Sequence, residues 1–184
     1  MLYDLTLQIT PKMAKTAENN EKKALVGHLG THFDVMDKDF PLEYTRREAV
    51  CFDVRGLEEV DVPDVDLSLV EADMFVAFYS GFIDEAGYGS QRYFKEHPQL
   101  SHALIDALLL KGVSIIGVDF AGVRRGKEHT PADQKCADQG TFVVENLCGL
   151  EAVCGKRFTA NTYPMNYAEV SGLPCRVVAE IPGL

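Results

Sequence analysis

The sequence lacks tryptophan, and its five cysteines include no closely spaced pair of the kind that binds structural zinc. Cys148 and Cys154, the nearest two, are too far apart for a CxxC motif. An odd number of cysteines also argues against a framework of disulfides. We therefore expect reduced, mostly buried thiols in a cytosolic protein.

The chain also lacks an apolar run of the roughly 20 residues that cross a bilayer. Its first four residues carry neither the basic nor the apolar region of a secretory signal. Positive charge is scarce, and the formal net charge is −10 at pH 7. Because phosphate backbones and anionic lipids repel such a surface, we expect neither nucleic acid nor a membrane as a partner.

What the chain does contain is typical of one soluble globular domain. Its 184 residues, 46% hydrophobic and 25% charged, are enough to bury a proper core. Internal repeats and linker-like stretches are missing from the sequence. We predict a single domain that spans residues 1–184.

Alternating strand and helix patterns predict an α/β fold. One helix has Ser101 as its N-cap and Gly112 as its stop, and a second opens with the pair Thr130-Pro131. Strands are predicted at residues 3–9, 24–34, 48–54, 73–79, 113–119, 141–145 and 175–181. A strand followed by a short helix and a further strand is typical of a β-α-β unit.

Two imidazoles and a carboxylate stand close together in the stretch 27–34. In an extended strand His28, His32 and Asp34 share one face, because side chains alternate with period two. Imidazole and carboxylate suit zinc, manganese or iron, and three protein ligands with an open position are typical of a catalytic site. The alternatives are neighbours on a helix face or polar loop residues, although the glycines here disfavour a helix.

The string of residues 28–34 resembles the HxGTHxD signature of the Putative cyclase family, which includes bacterial-type kynurenine formamidases and isatin hydrolases. Further segments are similar to that family's motifs in the family's order across nearly the whole chain, namely residues 93–94 with 97–101, 111–119, 144–147 and 173–177. One motif would be weak evidence, whereas five in order strongly favour the fold.

The resemblance implies a swivelling β/β/α domain, a mixed and partly closed sheet with outer helices, assembled as a homodimer or homotetramer. It implies hydrolysis of a small amide, N-formyl group or lactam, for example N-formylkynurenine to kynurenine by an arylformamidase, with zinc or manganese as cofactor. By the same resemblance His28, His32 and Asp34 hold the first metal, and Glu145 is the carboxylate of a second metal site.

The chain departs from the family pattern at two positions. Lys38 stands at the catalytic position where the family has its proton-transferring histidine, and a lysine with its usual pKa is a poor general base, so Asp37, Glu145 or the metal-bound hydroxide must move the proton. Asp133 stands where the family has a histidine that binds the second metal. His129, one helical turn earlier, can substitute, or Asp133 can itself bind an oxygen-preferring ion such as manganese.

Two classes of function follow. The first is a metal-dependent amide hydrolase, which we favour. The second is a catalytically impaired relative that keeps the fold and binds a metal or a small molecule, and Lys38 is the feature that separates the two. A lyase or isomerase that uses the same metal is a third reading, because polarising a carbonyl serves several reactions. Asp119 can either orient the site or cap the following turn.

Overall fold

A computed structural model describes residues 1–8, 10–13 and 27–181 of the chain. The predicted strand at 24–34 begins outside the described residues, as does residue 9 of the first strand. None of the helices in the described ranges is long and apolar enough to cross a membrane.

The strands of the described residues are β1 (Leu2–Asp4), β2 (His32–Asp34), β3 (Arg46–Asp53), β4 (Glu59–Val60), β5 (Phe75–Tyr79), β6 (Gln99–Leu100), β7 (Ile115–Val118), β8 (Phe142–Glu145), β9 (Arg157–Pro164) and β10 (Gly172–Glu180). The α-helices are α1 (Phe82–Ala86), α2 (Gln91–Glu96), α3 (His102–Lys111) and α4 (His129–Asp138). Most predicted strands are confirmed within a few residues, whereas β9 and the two-residue strands β4 and β6 have no counterpart among the predictions.

The main sheet closes into a ring of mixed direction. Its order is β1-β10-β2-β8-β7-β5-β3-β9, and a further pairing joins β9 to β10. Neighbouring strands are parallel from β3 to β8, and the remaining pairs are antiparallel. The predicted mixed α/β class is confirmed. The sheet is more closed than expected, because β9 bridges β3 and β10; the swivelling-domain description stays a prediction.

Two apolar cores lie on opposite faces of this ring. Along β5, Phe75 belongs to the inner core, whereas Val76 and Phe78 belong to the core beneath the helices, as the period of two requires. Leu104 and Leu108 of α3 pack against that outer core. Both faces of the central parallel strands are therefore buried, which explains their continuous hydrophobic sequence.

The helix boundaries position one part of the candidate site. Helix α3 begins as predicted, because the Ser101 hydroxyl accepts a hydrogen bond from the Leu104 amide at 3.0 Å, and it ends at Gly112. Helix α4 begins one residue before the predicted cap at Thr130, since a short 3-10 turn runs directly into it. His129 therefore lies in the first turn of α4.

Candidate metal centre

The motif residues His28, His32 and Asp34 do come together, but not along one strand. Only residues 32–34 are a strand; Gly27 and Gly30 adopt φ values of 117° and 71° and turn the chain before it. The prediction of an extended stretch from residue 27 is therefore wrong. The turn brings His28 Nδ1 to 3.1 Å from Asp34 Oδ1 and sets the two imidazole centroids 4.9 Å apart.

The imidazole of His28 lies directly against the backbone of Gly172. A Cβ on Gly172 would lie 2.6 Å from His28 Cε1, and one on Gly27 would lie 2.1 Å from the Gly172 carbonyl oxygen. Ser171, the neighbour of Gly172, places its Oγ 2.9 Å from His28 Nε2. These close contacts fix the ring, so that its Nδ1 faces Asp34.

His32 is oriented by the carbonyl of Gly30. Its Nδ1 lies 2.8 Å from that oxygen, which also accepts a hydrogen bond from Asn146 Nδ2 at 2.8 Å. Tyr93 holds Asn146 in place by donating to its Oδ1 at 2.6 Å. With Nδ1 as the donor, His32 Nε2 is free to act as a ligand and lies 3.7 Å from Glu145 Oε2.

Helix α4 supplies two more side chains of ligand type. His129 and Asp133 stand four residues apart on one helix face, with Nε2 and Oδ2 3.2 Å apart. His129 Nε2 is also 3.6 Å from Glu145 Oε1. Gly122 lies against this ring, because a Cβ there would be 2.2 Å from His129 Nδ1. The two candidates left open by the sequence are therefore both present.

The donor atoms form two groups that share one carboxylate. The first group contains His28, His32 and Asp34. The second group contains Asp34 together with His129, Asp133 and Glu145. Within each group the ligand atoms lie within 4.8 Å of one another. This spacing fits one or two divalent ions, and a mixture of nitrogen and oxygen donors suits zinc, manganese or iron.

Three buried carboxylates in this cluster each carry an oxygen without a hydrogen-bond partner. Among the described side chains, these atoms are Asp34 Oδ2, Asp133 Oδ1 and Glu145 Oε1. The three residues are only 3%, 2% and 4% exposed. Because an unpartnered buried oxygen is costly, three of them fit a site built for a cation, in a cluster whose carboxylates lie 3.1 to 3.7 Å from imidazole nitrogens.

The electrostatics of the cluster agree with that fit. Burial raises the pKa of Asp133 and of Glu145 well above the usual range, and the nearby Asp34 carboxylate adds to both shifts. Burial opposes ionisation of Asp34 too, but the imidazoles of His32 and His28 outweigh it and lower the pKa of that carboxyl. Added positive charge would relieve the repulsion among the three acids.

Asp37 and Lys38, both predicted at catalytic positions, belong to neither group of ligand atoms. Lys38 Nζ lies 2.9 Å from Asp138 Oδ1 and 3.1 Å from Asp37 Oδ1, and these carboxylates raise the pKa of Lys38. Both residues line a groove of about 940 Å³ whose wall includes Ser171, the hydrogen-bond partner of His28.

The other two histidines belong to neither group of ligand atoms. His97 is buried against Phe120, and burial lowers its pKa to about 4. His102 is exposed and lies 3.5 Å from Glu128. Because the sequence contains five histidines, these two are the only imidazoles outside the cluster.

Asp119 has a structural role at the end of β7. Its buried carboxylate accepts hydrogen bonds from the Ser80 amide and hydroxyl and from the Gly81 amide at 2.6 to 3.1 Å. The bonds hold the turn that opens α1. The sequence left two roles open for Asp119, orienting the site or capping the turn that follows it. Its contacts fit the capping of a turn, but of the turn after β5 and not of the one after β7.

Fold and site together define a mixed α/β protein with a buried His/Asp/Glu cluster of metal-ligand type. Residues 3–124 match the model of the Putative cyclase family, and the chain belongs to that family. None of the curated proteins matches it.

Several solved structures share the fold. A potential metal-dependent hydrolase with cyclase activity is 20% identical, with a TM-score of 0.75 over 97% of this chain and 98% of that chain. Isatin hydrolase A from Labrenzia aggregata, bound to benzyl benzoate, is 14% identical, with a TM-score of 0.76 over 98% and 93%. Isatin hydrolase A from Ralstonia solanacearum is 15% identical, with a TM-score of 0.76 over 99% and 92%.

Proposed function

We propose that this protein is a metal-dependent hydrolase of a small amide, N-formyl or lactam substrate. The arylformamidase reaction, N-formylkynurenine to kynurenine, is the activity we put first. The observation that carries the proposal is that three buried carboxylates, each with an unpartnered oxygen, cluster with imidazoles from two parts of the fold. The names of the structural neighbours, hydrolases of isatin among them, support the reaction class.

In the proposal His28, His32 and Asp34 hold one divalent ion. Asp34 also serves the second group, with His129, Asp133 and Glu145. Zinc or manganese, when bound, supplies the Lewis acidity that activates water and polarises a carbonyl. The extra carboxylate of Asp133 makes the second group rich in oxygen donors, which favours manganese there.

The protein's own part in the reaction is to place the substrate and move a proton. The groove beside Ser171 leads the substrate amide to the cluster. Lys38 is held charged between two carboxylates, so it is a poor general base. We assign the proton transfer to Glu145, whose Oε1 accepts a proton from the attacking water and then donates it to the leaving nitrogen.

A second candidate function is binding: the protein would bind a metal or a small molecule but hydrolyse amides poorly. The observation that favours it is the ion-paired Lys38 at the predicted histidine position. The proton-transferring imidazole expected from the resemblance is then missing, and general acid–base catalysis is worth roughly two to four orders of magnitude.

We also propose that the chain works as a homodimer or homotetramer in the cytoplasm. Four large side chains, Leu42, Tyr163, Met165 and Tyr167, are 46% to 81% exposed and line the groove. Such a concentration of exposed apolar side chains is typical of a contact surface. Sedimentation should show an assembly at micromolar concentration, and monomer alone would contradict this proposal.

Elemental analysis combined with turnover tests the function. Protein purified without chelator should contain a divalent metal and hydrolyse N-formylkynurenine or isatin, and His28→Ala/His32→Ala should lose both properties while staying folded. His102→Ala, at an exposed imidazole outside the cluster, is the matched control and should keep both. Metal uptake without hydrolysis of any amide would favour the binding protein, and failure to take up metal would contradict the hydrolase and leave only a small-molecule-binding protein.

A further inference from the structure

Two cysteines far apart in sequence meet at a place remote from the ligand groups. Cys51 is on β3 and belongs to the inner core, and Cys154 follows the short 3-10 turn that precedes β9 and packs against the same core. The backbone holds them together, because the Gly155 amide donates to the Cys51 carbonyl at 3.0 Å. Cys51 is 1% exposed, whereas Cys154 is partly open to solvent.

The two sulfur atoms differ in character. Interaction with the Cys51 side chain, helped by the nearby Arg55 guanidinium, lowers the pKa of Cys154, although burial and the Asp53 carboxylate oppose the shift. Interaction with Cys154 and burial raise the pKa of Cys51. One sulfur is thus partly accessible and has a lowered pKa, while its neighbour is a buried thiol with a raised pKa.

We propose that Cys51 and Cys154 form an oxidation-sensitive dithiol that closes to a disulfide when the protein meets a peroxide. Cys154 is the attacking sulfur and Cys51 the resolving one. The arrangement matches what such chemistry needs, an accessible thiolate beside a second thiol. The pair belongs to neither ligand group, so this inference does not depend on the proposed function.

The reaction balances in two steps. The Cys154 thiolate attacks one oxygen of hydrogen peroxide, forming an S–O bond as the O–O bond breaks and hydroxide leaves. The Cys51 sulfur then attacks the Cys154 sulfur, forming the S–S bond as the S–O bond breaks. The departing hydroxide takes the proton of Cys51 and leaves as water. The two thiols are oxidised by two electrons in total, and the peroxide is reduced.

We expect the other three cysteines to resist oxidation. Cys136 and Cys175 are buried, and burial raises the pKa of Cys175 above its usual range. Cys148 is partly exposed like Cys154, but burial raises its pKa to about 12. Cys148 is therefore a matched control, since it shares the exposure of Cys154 without the thiol partner or the ionised sulfur.

The test is to treat the full-length protein with hydrogen peroxide, alkylate it, digest it without reductant and map the peptides by mass. We expect one cross-linked peptide pair, Cys51 with Cys154, and a fall in titratable thiols from five to three in the unfolded chain. Reductant should restore all five. Unlinked Cys51 and Cys154, or a link at Cys148 in comparable yield, would overturn the proposal.

Variants separate the roles of the two sulfurs. Cys154→Ala should abolish the link and protect Cys51, and Cys51→Ala should leave Cys154 as a sulfenic acid that a dimedone-type probe captures. Cys148→Ala should form the link as the unmodified chain does. Should Cys51→Ala fail to fold, the unmodified protein and Cys154→Ala still decide the matter, because the peptide map alone shows whether the link forms.

Discussion

Replacing Asp133 by asparagine should have opposite effects on the metal-free and the metal-loaded protein. Asp133 is 2% exposed, its Oδ1 has no hydrogen-bond partner among the described residues, and Asp34 repels its charge. Without a cation the ionised carboxylate destabilises the fold, and asparagine removes that charge. With a cation bound, the same substitution removes a ligand.

The magnitude follows from the cost of a buried group without a partner, which is about 1–3 kcal/mol. For a chain of 184 residues, each 1 kcal/mol moves the melting temperature by roughly 2–4 °C. The metal-free Asp133→Asn protein should therefore melt about 2–12 °C above the unmodified protein. A metal at about one hundred times its dissociation constant stabilises the unmodified protein by about 2.7 kcal/mol, and the variant should gain less.

The sign of the pH dependence is fixed by the direction of the shift. Burial raises the pKa of Asp133, so the folded state keeps its proton to a higher pH than the unfolded chain does. The stability of the metal-free protein is thus lost as pH rises above the ordinary pKa of an aspartate. The advantage of Asp133→Asn should be small at pH 4 and should grow toward neutral pH.

Thermal denaturation of both proteins decides the matter, measured after chelation and dialysis and again with added zinc or manganese. The matched control is Asp138→Asn, on the same helix but exposed and away from the ligand groups. It should respond to metal as the unmodified protein does. A metal-free Asp133→Asn protein that melts lower at neutral pH, with an undiminished response to metal, would refute the reasoning.

Three further predictions follow from other contacts. Gly172→Ala should displace the His28 imidazole and weaken metal uptake at least tenfold by titration; unchanged affinity would mean that the ring has room to move. Lys38→His should raise formamide turnover at equal metal loading, by as much as roughly two orders of magnitude, because it adds a second group that can move the proton; unchanged or lower turnover would show that residue 38 does not reach the reacting atoms. Burial raises the pKa of Asp119 to about 6, so its contribution to stability should fall as pH rises from about 4 through 6; a carboxyl resonance that titrates below pH 4 would contradict this.

The sequence predicts which side chains cluster better than it predicts the geometry that joins them. Residue type and spacing predict that His28, His32 and Asp34 lie together, and they do, but a turn and not the expected strand brings them together. Gly27 and Gly30 take positive φ values, and the turn that they form replaces the expected extended segment. Short-range periodicity does not reveal such a turn, because it depends on contacts made elsewhere in the chain.

Long-range contacts account for the remaining differences. The signals that begin and end α3 are local in sequence. Ser101 and Gly112 could therefore be predicted as its N-cap and its stop. The hydrogen bond from Tyr93 to Asn146 joins residues 53 positions apart, and no local pattern indicates it. The close contact of Gly172 with His28 is of the same kind, since a glycine in sequence does not show which side chain will fill its space.

The choice between His129 and Asp133 could not be made from sequence for a different reason. Residues four apart on a helix share a face, so both can reach the same place. The structure shows that both do, with Nε2 and Oδ2 3.2 Å apart. The face of α4 that carries both residues lies at the cluster because β8, which carries Glu145, lies beside it in the fold.

Anomalous scattering from crystals of the metal-loaded protein tests the central claim most directly. Data collected on either side of the zinc or manganese absorption edge should show a peak enclosed by His28, His32 and Asp34. A second peak, if present, should lie beside Asp133 and Glu145. A strong peak elsewhere, or no peak in this cluster with metal in excess, would contradict the account.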